Sequence, residues 1–297
     1  MTTYSHPVYP HYFADPFVLE HLGVYYAYGT GLGAQTNGRF FEVLESPDLE
    51  RWQSHGGALE PLEVGETDYW APEVAFSEGV FYLYYSAGFG DQGQRLRVAT
   101  SSWPHGPFRD SGVLLTDDEP FSIDAHPFCD LDGRWYLFYA KDFLDGERIG
   151  TALVVDALET MTKLEGRPRT VLRATHDWQR YERDRMIYGA PRDWHTLEGA
   201  FVVRRQNRYI CFYSGGAWTN PSYGVSYALA DHPLGPWREP EPAGPHVLQT
   251  VPGMLIGPGH NSVVRGPDGL DRIVYHAWDA QRTARRMYIS PLEWRAD

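Results

Sequence analysis

Hydrophobic positions along the chain fall into short runs, alternating or continuous, that are broken by Gly-, Asp- and Asn-containing turns. That is the pattern of strands and hairpins. The segment ADPFVLEHLGVYYAYGT from Ala14 reads as a short strand, a turn around Gly23 and an aromatic strand. The same shape returns as APEVAFSEGVFYLYYSA from Ala71, DAHPFCDLDGRWYLFYAK from Asp124, EGAFVVRRQNRYICFYSG from Glu198 and GHNSVVRGPDGLDRIVYHAW from Gly259. A third strand follows in each unit: RFFEVLESPDLERW, QRLRVATSSWPHGPF, RIGTALVVDALETM, YGVSYALADHPLGPW and RRMYISPLEW. Three of these close on a proline followed by Trp or Phe, at 104–108, 233–237 and 291–294. No amphipathic pattern predicts a helix beyond two or three turns, and residues 156–164 allow at most a short one. The inserts before Trp70 and between Leu164 and Gly189 read as loops over one face.

Five such units, starting about 50–75 residues apart, have the period of propeller blades. Radial repetition of small antiparallel sheets protects strand edges, so the expectation is an all-β chain forming one five-bladed β-propeller over residues 1–297. Polar connections such as RWQSHGGALEPL supply a fourth, outer strand. A pair of β-sandwiches is the alternative architecture.

Aligning the units on their first strand places Asp15, Glu73, Asp124, Glu198 and His260 at its start. In a propeller that strand lines the axis, so these side chains would converge at one mouth of the channel. A single strand-start acid is explained by a hydrogen bond to a turn amide. Several carboxylates brought together repel and lose hydration, which requires partners, a metal or a function.

Composition narrows the partners. The chain's 297 residues carry a formal net charge of −13, which argues against nucleic acid or an anionic membrane surface. Aromatic residues make up 15% of the chain; most suit strands, and some suit a cleft that packs on sugar rings. Cys129 and Cys211 each sit in an apolar run and are expected to be buried free thiols. The first residues, MTTYSHPVYP, have neither a basic nor an apolar leader-like region, so a cytoplasmic location is expected.

Taken in order, ADPF (14–17), YWAPEV (69–74), IDAHPF (123–128), LEGAF (197–201) and GPGHNSVV (257–264) resemble glycoside hydrolase family 43 over essentially the whole chain. The resemblance implies a five-bladed propeller that cleaves glycosidic bonds with inversion, mostly in arabinan, arabinoxylan and xylan. It implies that Asp15 is the general base, Glu198 the general acid and Asp124 the carboxylate that tunes and orients the acid. It also implies that His260 is an axial histidine associated with a calcium ion and its water. Ala125 and Ala200 stand where the family often has proline, which bears on subfamily and substrate.

For sugar contacts the candidates are Trp70, Trp194 and His126, with packing as the alternative for each. Arg285 and Arg286 both stand near the channel, and the sequence does not choose between them. Inserts at 173–188 and 193–197 could close one end into a pocket, favouring release of terminal β-D-xylose or α-L-arabinofuranose from hemicellulose-derived oligosaccharides. An endo-α-1,5-L-arabinanase is the nearest alternative. A retaining fructosidase and a non-catalytic carbohydrate- or protein-binding propeller are the others.

Overall fold

The computed structural model of the chain describes residues 6–63, 65 and 68–294. Their regular structure is twenty strands and one 3-10 turn, Asp177–Gln179. Strands β1 (Ala14–His21), β2 (Val24–Thr30), β3 (Phe40–Ser46) and β4 (Gln53–Leu59) form a four-stranded antiparallel sheet in chain order. Strands β5 (Asp68–Ser77), β6 (Val80–Phe89), β7 (Gln92–Ser101) and β8 (Arg109–Leu114) form a second. The third group is β9 (Ser122–Cys129), β10 (Trp135–Phe143) and β11 (Gly150–Thr160), with β12 (Lys163–Leu164) and β13 (Arg169–Leu172) paired to β11. In the fourth, β14 (Arg180–Ile187) forms a hairpin with β15 (Ala190–Arg205), which continues into β16 (Arg208–Gly215) and β17 (Gly224–Ala230). The last sheet is β18 (Ile256–Arg265), β19 (Asp271–Trp278) and β20 (Arg285–Pro291).

The expected outer strand of the first unit is β4, QSHGGAL, from within RWQSHGGALEPL. Elsewhere the structure departs from the sequence reading. A short parallel contact, Gly150 with His195 and Thr151 with Thr196, joins the third and fourth groups into one nine-stranded sheet. Residues 156–160 continue β11 instead of turning helical, because Ala157 and Leu158 bury on opposite faces in two different clusters and Asp156 takes the Arg167 amide. The insert between Leu164 and Gly189 is not plain loop: it supplies β13, the 3-10 turn and β14. Cys211 is a buried free thiol as expected, but Cys129 is exposed, at the end of β9 beside a turn.

Apolar faces of neighbouring groups pack on one another. Phe17, Tyr28, Val74, Leu83, Phe201, Phe212, Ile273 and Tyr275 belong to one buried cluster drawn from four groups. Burying each such side chain stabilises by about 1.5–3 kcal/mol. The chain start also packs onto its end. The Val8 and Phe13 amides donate to the Met287 and Arg285 carbonyls, both at 2.9 Å. Tyr9 and Phe13 share a buried cluster with Val274, Met287 and Ile289.

One local feature positions the site. The first motif-bearing strand of each group, β1, β5, β9, β15 and β18, carries one extra residue at the same place, a β-bulge. Pairing steps from Ala14↔Thr30 to Phe17↔Tyr28, from Trp70↔Ser86 to Glu73↔Tyr84, and from Ile123↔Ala140 to His126↔Phe138. It does the same from Glu198↔Ser214 to Phe201↔Phe212 and from Gly259↔His276 to Ser262↔Val274. The first bulged residues are Asp15, Ala71, Asp124, Gly199 and His260, all left-handed, with φ between 48° and 62°. For non-glycine residues this conformation is uncommon and costs about 1–2 kcal/mol, and such strain gathers at functional sites.

Candidate active site

The bulge register corrects the expected ring. Asp15, Asp124 and His260 are equivalent, but Glu198 stands one place before the bulge, where the other groups have Ala14, Trp70, Ile123 and Gly259. Glu73 stands after it, level with Phe17, His126, Phe201 and Ser262. A motif alignment by residue type misses this, because the bulge moves the acids between positions.

The two positions around the bulge converge on one cavity of about 320 Å³, lined by Asp15, Asp124, Glu198 and His260 together with Trp70, Trp194, Trp218 and Arg285. The layer after the bulge packs elsewhere. Glu73 bonds His126 Nδ1 at 2.6 Å, the His126 ring lies 4.4 Å from Phe201, and its Nε2 accepts the Val202 amide at 3.0 Å. His126 is therefore a buried structural side chain and does not line the cavity, contrary to the substrate contact expected of it. A second cavity, about 200 Å³ and lined by Thr116, Tyr139 and Asp156 among others, holds none of the converging residues.

Hydrogen bonds between groups fix the bulged backbone. The Ala71 amide donates to Thr30 Oγ1 at 2.8 Å, Asp124 to Ser86 Oγ at 3.1 Å and His260 to Ser214 Oγ at 2.7 Å. The Asp15 amide donates to His276 Nδ1 at 3.1 Å. The Gly199 amide donates to Asp124 Oδ2 at 2.9 Å, so Asp124 grips the backbone next to Glu198. Gly199 is needed there: its φ is +58°, and a Cβ would meet the His260 ring at 3.1 Å.

These surroundings separate the proton affinities of the carboxyls. Burial opposes the charge on Asp15, but the Arg285 guanidinium at 3.3 Å and then His260 at 3.4 Å outweigh it and hold Asp15 well below the usual carboxylate range. Burial, then the neighbouring Asp124 charge, push Glu198 up to about 8, although the Tyr223 hydroxyl donating at 2.7 Å acts the other way. Burial also raises Asp124, to about 6, against the pull of His260. Burial disfavours the charge on His260, yet Asp124, Asp15 and Glu198 together raise its affinity for a proton. Burial lowers His276 to about 4, which agrees with a neutral ring whose Nδ1 accepts the Asp15 amide. At neutral pH the cavity thus presents an ionised Asp15 and a protonated Glu198.

The arginine ambiguity is resolved by position. Arg285 is buried, lies 4.3 Å over the Trp218 ring and bonds the Tyr12 hydroxyl as well as Asp15. Arg286 turns outward to the Pro10 carbonyl and Asp279. Trp70 is partly exposed in the cavity wall, whereas Trp194 is only 1% exposed and has almost no ring face left for a sugar. Tyr181, Arg185 and Ile187 from β14 and Trp194 and Thr196 from β15 build one wall, so the inserts expected to narrow the opening do reach it. Arg185 and Tyr188 tie this hairpin to Asp91 and Asp142. Tyr12, Trp218, Tyr223 and His276 were not singled out in the sequence. They lie outside the first-strand motifs, and only long-range packing brings them in.

The residues present do not make a calcium site of their own. Among the described residues no three His, Cys, Asp or Glu side chains are grouped to hold a metal, and calcium takes six to eight oxygens. The buried Asn261 amide and His276 Nε2 lack protein partners, which suits ordered water.

The family model described as Glycosyl hydrolases family 43 matches residues 4–297. A β-D-galactofuranosidase of Aspergillus niger is 31% identical, across 96% of this chain and 79% of its own. An α-L-arabinofuranosidase of Humicola insolens is 25% identical, across 96% of this chain and 60% of its own. The crystal structure of a thermostable family-43 glycoside hydrolase superposes with a TM-score of 0.83 at 32% identity, covering 95% of this chain and 90% of that one.

Proposed function

The chain belongs to glycosyl hydrolases family 43, and from that premise we propose that it is an inverting exo-glycosidase releasing terminal pentoses, α-L-arabinofuranose or β-D-xylose, from oligosaccharides. The observation that carries this reading is the convergence on one cavity of Asp15, paired with the Arg285 guanidinium, and Glu198, which accepts from the Tyr223 hydroxyl and lies near Asp124. Glu198 gives its proton to the glycosidic oxygen as the bond to the anomeric carbon breaks. Asp15 takes a proton from the water that attacks the opposite face of that carbon. Asp124 raises the proton affinity of Glu198 and holds the Gly199 amide. Inversion needs the two carboxyls about 6.5–9.5 Å apart, to leave room for the water.

The propeller belongs to the same proposal. We read the strand groups as five blades about an axis, with the nine-stranded sheet as two blades bridged at their edge. Supporting this, inter-group hydrogen bonds run from each first strand to the preceding group and return from Asp15 to His276. The chain start beside β20 completes the last sheet. No step of the reaction is routed through calcium; any ion near His260 would owe most of its shell to water.

The wall from β14 and β15 supports a pocket that takes a chain end. The Aspergillus relative favours a second reading, a hexofuranoside substrate. Release of 4-nitrophenol from the α-L-arabinofuranoside, β-D-xyloside and β-D-galactofuranoside, beside digestion of linear arabinan, tests both. Turnover of either pentoside supports the proposal, turnover of the galactofuranoside alone supports the second reading, and action on arabinan alone refutes the exo assignment.

A further inference from the structure

We propose that Tyr223 is a positioning residue for the acid Glu198, and that its stack on His276 sets the distance between acid and base; this rests on the roles proposed above for Glu198 and Asp15. The Tyr223 hydroxyl donates to Glu198 Oε1 at 2.7 Å. Its ring lies nearly parallel to that of His276, 8° between planes and 5.8 Å between centres. His276 in turn accepts the Asp15 amide at Nδ1. One side chain on the loop before β17 and one on β19 thus form a continuous link between the two carboxyls whose separation the reaction depends on.

The link specifies more than distance. With Oε1 accepting from Tyr223, the proton of a neutral Glu198 is carried on Oε2, so the bond selects the oxygen that gives it up. When that proton passes to the glycosidic oxygen, Glu198 becomes a carboxylate and the Tyr223 bond becomes charge-assisted, hence stronger. A bond that strengthens as the reaction proceeds contributes to rate rather than to binding. Backbone opposite His276 is cut away to admit the ring. Gly259 pairs with His276, and a Cβ there would stand 2.0 Å from the Tyr223 ring. Tyr223 is itself fully buried, so its hydroxyl has no use at the surface.

The test is the dependence of kcat on the leaving group for Tyr223→Phe, which keeps the ring and its stack, with Tm measured alongside. An unactivated oligosaccharide needs full protonation of its leaving oxygen, whereas a 2,4-dinitrophenyl glycoside needs almost none. Tyr223→Phe is expected to lower kcat roughly 10–100-fold on the oligosaccharide, the scale of a hydrogen bond to a charged group, and less than about threefold on the dinitrophenyl substrate, with KM little changed. Gly259→Ala, which displaces the ring, is expected to reduce turnover of both substrates, because the His276 anchor of Asp15 moves too. Equal losses on both substrates for Tyr223→Phe, or no loss on either, overturns the assignment. If the wild-type protein hydrolyses no glycoside, the proposed function falls instead, a result distinct from either.

Discussion

Replacing Arg285 by Gln removes the largest influence holding Asp15 ionised. Arg285 Nη1 lies 3.3 Å from Asp15 Oδ1, and both side chains are about 10% exposed. At an effective dielectric of about 20, charges at that distance attract by about 5 kcal/mol. At about 1.4 kcal/mol per pH unit this bounds the rise in the Asp15 pKa at roughly four units. Water entering the vacated space, with His260 still in place, reduces the expected rise to roughly two. Asp15 is a depressed carboxylate, so activity is present above its pKa and is lost as pH falls through it. Arg285→Gln should therefore raise by roughly two units the pH at which the Asp15 carboxyl itself titrates. Arg285→Lys, which keeps the charge but not the fork on Tyr12, should move it much less. The assay is ¹³C NMR of the Asp15 carboxyl in wild type and variant, titrated downward from neutral pH, with circular dichroism at each pH to separate titration from unfolding. An Asp15 carboxyl that titrates at the same pH in wild type and Arg285→Gln would refute the electrostatic role given to Arg285.

Asp15→Ala and Glu198→Ala should each lower turnover of unactivated oligosaccharides by roughly 10²–10⁴-fold, with only the Glu198 loss shrinking on activated aryl glycosides; near-normal rates for either variant refute its role. Asp124→Asn removes the negative charge that keeps Glu198 protonated, so the basic limb of kcat should move to lower pH; movement upward contradicts the account. His126→Ala leaves Glu73 buried without its partner and should cost about 3 kcal/mol of stability in a denaturant titration, while KM stays within about twofold because His126 does not line the cavity.

Much of this architecture is written in local pattern. The repeated strand–turn–aromatic strand units became paired strands almost where the alternation put them, because side-chain alternation and turn residues act over a few positions. Asp15, Asp124, Glu198 and His260 were legible for the same reason and do share a cavity. The reading failed where register mattered. One extra residue per first strand puts Asp15 level with Ala71 and Gly199 rather than with Glu73 and Glu198, and it sends His126 into the buried layer. Alternation does not reveal a bulge that recurs in every unit. Neither could it reveal Tyr223 or His276, whose places depend on packing between groups distant in sequence. The insert before Gly189 read as loop because RYERDRMI is mostly charged and shows no apolar alternation. A hairpin standing away from the core needs no apolar face to form.

The most direct test is the configuration of the first sugar released, followed by ¹H NMR of the anomeric proton within the first minutes of hydrolysis, before mutarotation. With Asp15 activating water across the cavity from Glu198, the account predicts initial product of inverted configuration, which equilibrates afterwards. Initial product of retained configuration would mean that a carboxylate attacks the sugar directly, and would contradict the assignment of Asp15 as base.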